Sequence, residues 1–192
     1  MNSTLRKTAR QEFIDRLHEI ADSDLRRKIQ PPAGQTPLEQ VTDQALFSAK
    51  KISDVTFTDA IFKSDDSKVD GLRNVALAKT PTGKYFLVNK LVLQSKASAE
   101  LADAVFTDLA TDVMQGEIEI TVDKKAVVSR MPISALFPEV DGNGKWTGVT
   151  FLDNPKMLPP DKDIIVRMWF PKALAANTCI KLALVGCAND NN

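Results

Sequence analysis

One histidine, two cysteines and one tyrosine occur in 192 residues, and aromatic side chains make up only 6% of the chain. With His18 as the lone imidazole, a multi-histidine metal site is excluded. A histidine-based triad with groups from distant strands is excluded too, unless the segment carrying His18 folds over a pocket. Cys179 and Cys187 show no CxxC spacing, so a zinc ribbon is excluded. They share strand parity and are separated by about 26 Å of extended chain, whereas a disulfide needs Cα atoms within about 7 Å. Reduced, partly buried thiols are expected. No apolar run approaches the roughly 18 to 20 residues that cross a bilayer, so no membrane span is expected. Residues Met1 to Lys7 lack the apolar core of a secretory leader, and the chain is expected to be made in, and to stay in, a cytoplasm. Net charge is absent as well: 25 basic and 25 acidic side chains cancel. A protein that coats nucleic acid over its whole surface is basic, so any such contact must be local. Glycine-rich phosphate loops are missing: Gly142-Asn143-Gly144-Lys145 lacks the Walker spacing, and Gly83-Lys84 precedes a strand.

What is there is a soluble globular composition, 43% hydrophobic and 26% charged, long enough for one well-buried domain with a helical arm. The first segment carries Leu5, Ala9, Phe13, Leu17, Ile20 (or Ala21) and Leu25 at helical spacing, one apolar stripe. Ser3 is a candidate N-cap, and Pro31-Pro32 with Gly34 stops the helix. Its polar face interleaves bases with acids, for example Glu12 with Arg16. That pattern reads as a surface helix docked on its own domain or on a neighbour, with a nucleic-acid or membrane-surface helix as the alternative. Leu5, Phe13, Leu17, Ile20 and Leu25 are its candidate interaction residues. The expected organisation is an arm over residues 1–30, a Pro/Gly linker over 31–40, a β-domain over 41–188 and a polar tail over 189–192.

Within that domain, residues 41–47 read as a short helix or as an arm approaching a sheet. Residues 52–57 alternate like a strand, and 63–70 read as a polar, solvated loop. Residues 72–78 and 84–94, joined by Thr80-Pro81-Thr82-Gly83, have the pattern of a hairpin. Leu101, Val105, Leu109 and Val113 recur every four residues behind Ser98, which predicts a helix inserted over 98–114. From Gly116 to Gly186 the chain is a run of short strands and turns: 117–122, 126–128, 146–152, 164–170 and 180–185. The predicted class is mainly β, an antiparallel β-sandwich or barrel with an N-terminal amphipathic helix and one inserted helix.

Each candidate for chemistry has a plainer reading. Asp141-Gly142-Asn143-Gly144 starts like a calcium loop but fails at Lys145 and Leu152, and Asp-Gly and Asn-Gly are hairpin-turn dipeptides. Glu117 and Glu119 share one strand face, as glycosidase carboxylates can, and so do ordinary solvent-facing pairs. Trp146, Trp169 and Tyr85 are candidates for a sugar platform or for core packing. Cys179, with Lys181 on the same face, reads as a core thiol rather than a nucleophile. His18 reads as a boundary side chain. The residues therefore predict no enzyme, no catalytic set, no metal and no cofactor.

One ordering stands out in the second half. Gly116-Glu117-Ile118-Glu119-Ile120-Thr121-Val122-Asp123-Lys124-Lys125 leads to Met131-Pro132-Ile133-Ser134-Ala135-Leu136-Phe137. Leu158-Pro159-Pro160-Asp161-Lys162-Asp163 then opens the strand Ile164 to Phe170, and Ile180-Lys181-Leu182-Ala183-Leu184-Val185-Gly186 closes the chain. Across roughly residues 84–186 this resembles the jelly-roll structural proteins of virus and bacteriophage particles. The resemblance implies a jelly-roll sandwich and a capsid or head-associated subunit of the virion, assembled in a host cytoplasm. Its partners would be further copies of itself and other virion proteins. The chain departs from the basic N-terminal arm of many small capsid proteins, because its arm is balanced by acids. The other reading is a β-sandwich module that binds carbohydrate or another ligand through loops such as 139–145.

Overall fold

A computed structural model describes residues 8–19 and 41–189. Within them lie helix α1 (Ala9–Glu19), strands β1 (Val41–Lys51), β2 (Phe57–Thr58) and β3 (Phe86–Ala97), then helix α2 (Thr111–Met114). Strands β4 (Glu117–Val122) and β5 (Lys125–Pro132), helix α3 (Ile133–Leu136), and strands β6 (Val149–Leu158), β7 (Ile164–Trp169) and β8 (Thr178–Asn189) follow. Leu5, Ile20, Leu25, the Ser3 cap and the 31–40 linker lie outside the described residues. The first turn of α1 is held by Thr8, whose hydroxyl accepts from the Gln11 amide at 3.2 Å.

The strands form two antiparallel four-stranded sheets, in the orders β1-β8-β3-β6 and β2-β7-β4-β5. Alternation decides which face each strand turns inward. In β4, Ile118, Ile120 and Val122 are buried while Glu117, Glu119 and Thr121 are not. In β7, Ile164, Val166 and Met168 point in. They meet Phe86, Val88, Leu91 and Leu93 of β3 and Ile180, Leu182 and Leu184 of β8 in one continuous core. The two sheets are thus packed face to face.

Pairing follows a nested scheme: β1 with β8, β2 with β7, β3 with β6 and β4 with β5. Two further ladders, β3 with β8 and β4 with β7, complete the sheets. The chain therefore runs as one long antiparallel ribbon whose closed end is the turn at Asp123 and Lys124, both at positive φ.

Several expectations from sequence fail here. Residues 41–47, expected as a short helix or as an arm approaching a sheet, are part of the sheet itself: they belong to β1, which pairs with β8 through all of its length. The strand expected over 52–57 shrinks to Phe57–Thr58, because residues 52–56 turn the corner between sheets. No hairpin joins 72–78 to 84–94. Instead, residues 72–74 lie along the free edge of β1: Ala49 donates to the Leu72 carbonyl at 2.8 Å, and the Asn74 side-chain oxygen accepts from the Phe47 amide at 2.8 Å. That contact protects an edge which would otherwise offer unpaired backbone groups. The helix expected over 98–114 is only a 3-10 turn at Leu101–Asp103 and the single turn α2. Leu109 and Val113 are buried as the spacing implied, but Val105 is 67% exposed. Residues 153–158, which lie outside the strands expected over 146–152 and 164–170, fall inside β6. Asn189, expected in the polar tail, instead pairs with Val41 and is buried.

Two irregularities shape the outer surface of the first sheet. The register of β3 slips between Val88 and Lys90, and opposite that slip residues 152–155 of β6 leave the ladder. Gly186 of β8 lies across from Val88, so close that a Cβ there would sit 1.7 Å from the Leu87 carbonyl oxygen. Only glycine fits, since any side chain would have to displace backbone already paired on both sides.

Candidate functional site: the two outer sheet faces

The outer face of the first sheet is covered by α1. Phe13, fully buried, packs with Val41 of β1, Leu87 of β3 and Cys187 of β8, flanked by Ala9, Ile14, Tyr85 and Met157. Along its length the helix crosses the sheet. Arg10 pairs with Asp43 of β1 at 3.2 Å, and Arg16 donates to the Asn154 side-chain oxygen of β6 at 3.1 Å. The 152–155 excursion and the Asn89 irregularity form one wall of a cavity of about 390 Å³ against Ala9 and Glu12. A strand irregularity, a glycine and a loop-out thus combine into a shaped seat for one helix. The exposed Arg10–Asp43 pair adds little, about 0–1 kcal/mol, whereas burying Phe13 stabilises the contact by roughly 2–3 kcal/mol.

The Cys187 thiol lies beneath this helix and donates to the Ala9 carbonyl, with Sγ 3.4 Å from the oxygen. Burial pushes it up to about 12, and the neighbouring Asp43 carboxylate acts in the same direction. It is not a nucleophile in this state, because only the thiolate reacts. Cys179 is also free and buried, and desolvation raises it as well. Both thiols lie on the outer side of β8 rather than in the inter-sheet core, which corrects the core-thiol reading of Cys179 in place though not in character. Toward that end of the strand, Lys181 sits between the Phe47 and Phe106 rings, 4.8 and 5.8 Å from their centroids.

The outer face of the second sheet has no covering element among the described residues. Phe57, 45% exposed, lies against Trp169 with ring centroids 5.6 Å apart. Arg130 spreads over the Trp169 ring at 4.2 Å and donates to Glu117 at 2.7 Å. Arg167 donates to Glu119 at 2.9 Å. The two same-face carboxylates are therefore engaged by arginines from neighbouring strands. The aromatic trio does not form a platform: Trp169 is on this face, Tyr85 is beside α1, and Trp146 is packed against the inter-sheet core.

A third feature lies on the 63–75 segment. Asp66 was expected to be solvated with its loop, but it is 7% exposed. Its carboxylate takes charged hydrogen bonds from Lys50 of β1 and from Arg73, and accepts the Lys63 amide at 3.0 Å. Burial alone would push this carboxyl up; the Lys50 and Lys63 hydrogen bonds and the two cations outweigh it and hold it below its ordinary value. The cluster bolts the loop to β1, and its role is structural.

Asp141 heads a turn, its Oδ1 accepting the Asn143 and Lys145 amides at 2.8 and 2.9 Å. Those two hydrogen bonds lower its carboxyl. No grouping of three or more metal-ligating side chains occurs among the described residues, and no helix among them is long and apolar enough to cross a membrane. His18 lies on α1, as does Leu17, but the surroundings of both side chains fall outside what is described. Sequence reasoning identified Phe13 and missed its seat: Asp43, Leu87, Asn89, Asn154 and Cys187. One signal could have found it. In β8, Ile180, Leu182 and Leu184 fill one face while Cys179, Ala183, Val185 and Cys187 fill the other, and a strand apolar on both faces must be covered on both.

No protein-family model, curated protein or solved structure matches this chain.

Proposed function

We propose that this chain is a non-enzymatic structural subunit of a virus or bacteriophage particle, a jelly roll that assembles with further copies of itself. The observation that carries the reading is the nested strand scheme. A ribbon paired β1·β8, β2·β7, β3·β6 and β4·β5, with successive strands in opposite sheets except at the β4–β5 turn, supports the strand path of an eight-stranded jelly roll. That architecture serves capsid shells, lectins and cupins. Cupin chemistry requires clustered histidines, and this chain has one. Lectin-like binding draws some support from the exposed Phe57 beside Trp169, yet Arg130 already occupies a Trp169 ring face that a sugar would need. The helix seated on the first sheet favours the assembly reading, with residues 1–30 as the arm that contacts neighbouring subunits in the virion. Zero net charge permits close approach of identical copies.

The test is the mass of the purified protein by sedimentation, with negative-stain microscopy, for the full chain and for a chain lacking residues 1–33. Rings, capsomer-like oligomers or shells that weaken on deletion are expected. A monomer at every concentration, or full-chain oligomers unchanged by the deletion, would count against the subunit and the arm respectively.

A further inference from the structure

We infer that the edge of β1 binds a small inorganic anion of chloride size, held by Ser48, Lys50 and Arg73 beside Asp66. The site does not depend on how copies of the chain assemble.

The backbone brings these side chains together. Ser48 and Arg73 form an antiparallel bridge. Ala49 donates to the Leu72 carbonyl on one side of it, and Asn74 donates to the Phe47 carbonyl on the other. Residues 48 and 73 are therefore a non-hydrogen-bonded pair, in which Cα atoms come within about 4.5 Å and side chains share a face. Alternation along β1 sets Lys50 on that face too. Its ammonium and the Arg73 Nη1 both donate to Asp66 Oδ1.

Two buried groups in this cluster are left over. Ser48 is fully buried, and its hydroxyl has no hydrogen-bond partner among the described residues. The buried Nε of Arg73 has none either. Nε is the guanidinium nitrogen nearest the backbone, and hence nearest Ser48. Buried polar groups are paired almost without exception, so two orphans across one bridge point to a bound water or ion.

Charge selects the ion. The Lys50 and Arg73 side chains are 20% and 14% exposed and carry two positive charges; Asp66, at 5%, supplies one negative charge. Both Asp66 oxygens are engaged, Oδ2 by the Lys63 amide. One positive charge is left without a counter-charge in largely buried surroundings, which is costly. The unused valences are donors: the Nε–H, the remaining ammonium hydrogens and a hydroxyl that can donate. A water would satisfy the two orphans and leave the charge unmatched, whereas an anion does both. The close pairing of residues 48 and 73 suits a single atom rather than a phosphate group. Such an ion would fasten residue 73 to β1 where residues 72–74 cover the sheet edge.

The full chain is melted in urea in sodium chloride and in sodium gluconate of equal ionic strength. Chloride is expected to raise the midpoint saturably, lowering the unfolding constant about tenfold at about ten times its dissociation constant. Ser48→Ala removes the hydroxyl, and Arg73→Lys keeps the charge but removes Nε; each should cut the chloride response several-fold. Equal midpoints in the two salts overturn binding. A chloride response undiminished in both variants overturns this location. Crystals of the unaltered protein soaked in bromide decide the point without any variant. An anomalous peak between Ser48 Oγ and Arg73 Nε is expected, and a water or no peak there overturns the anion. A peak without a chloride response in urea is an adventitious ion only, and overturns it as well.

Discussion

Truncating Phe13 to alanine should undock α1 without unfolding the sandwich. Phe13 is fully buried, and it belongs to a small cluster separate from the inter-sheet core. Phe→Ala changes at buried sites cost about 3–5 kcal/mol. Taking about 3 kcal/mol, the fraction of molecules with the helix lifted rises by about two orders of magnitude. Cys187 reads that fraction directly. Its thiol stands at about 12 beneath the helix, so at pH 8 only about one seated thiol in ten thousand is ionised, against roughly a quarter of freely exposed ones. Reaction with an aromatic disulfide reagent therefore passes through the lifted state. The Cys187 rate should increase about 100-fold in Phe13→Ala, with little change in the urea midpoint of the sandwich. Cys179, buried on the same strand near its other end, is the internal control and should accelerate less than about threefold. Equal acceleration of both thiols would mean that the whole domain had loosened. No acceleration of Cys187 would mean that Phe13 does not hold the helix. Either result refutes the reasoning.

The Asp66→Asn variant should lose about 2–4 kcal/mol at pH 7, because Lys50 and Arg73 are left largely buried with no anion between them. The carboxyl is held below its ordinary 3.8; its contribution is therefore complete above that value and disappears as pH falls through the lower, folded-state value. The gap between wild type and variant in urea melts should be flat from pH 7 to about 5 and close below about 4; a gap that widened on acidification would contradict the assignment. The Gly186→Ala variant should lose about 3 kcal/mol or more, since its Cβ would fall 1.7 Å from the Leu87 oxygen in the middle of a sheet. A urea midpoint within error of wild type would show that β3 can relax there, and that the irregularity at Asn89 is not fixed by the glycine.

The class of fold and the strands of the second half were legible because side-chain alternation and turn residues are local signals. Ile118-Glu119-Ile120-Thr121-Val122 can bury only one face, and Asp123-Lys124 can only turn. The helix around Phe13 was legible for the same reason, through its 3.6-residue period. Residues 72–78 misled because apolar alternation does not say which partner accepts the hydrogen bonds; Asn74 pairs with β1, distant in sequence. The period-four pattern of Leu101 to Val113 misled because Leu109 and Val113 reach the inter-sheet core from separate pieces, a bridge to Trp146 and the single turn α2, rather than from one helix.

From the sequence alone came the amphipathic helix around Phe13, a β-rich chain and the expectation that its lone histidine and two cysteines carry no chemistry, all read from short windows. Tertiary structure decided the rest. It set the nesting of eight strands into two sheets, the pairing of Asp66 with Lys50 and Arg73, and the seat that joins Asp43, Leu87, Asn154 and Cys187 under one helix. Asp66 lies only 16 and 7 residues from Lys50 and Arg73, but the residues of the seat are dozens to more than a hundred apart along the chain. Their meeting depends on strand order and register, which arise from closing a single core and leave no mark in any local stretch of residues.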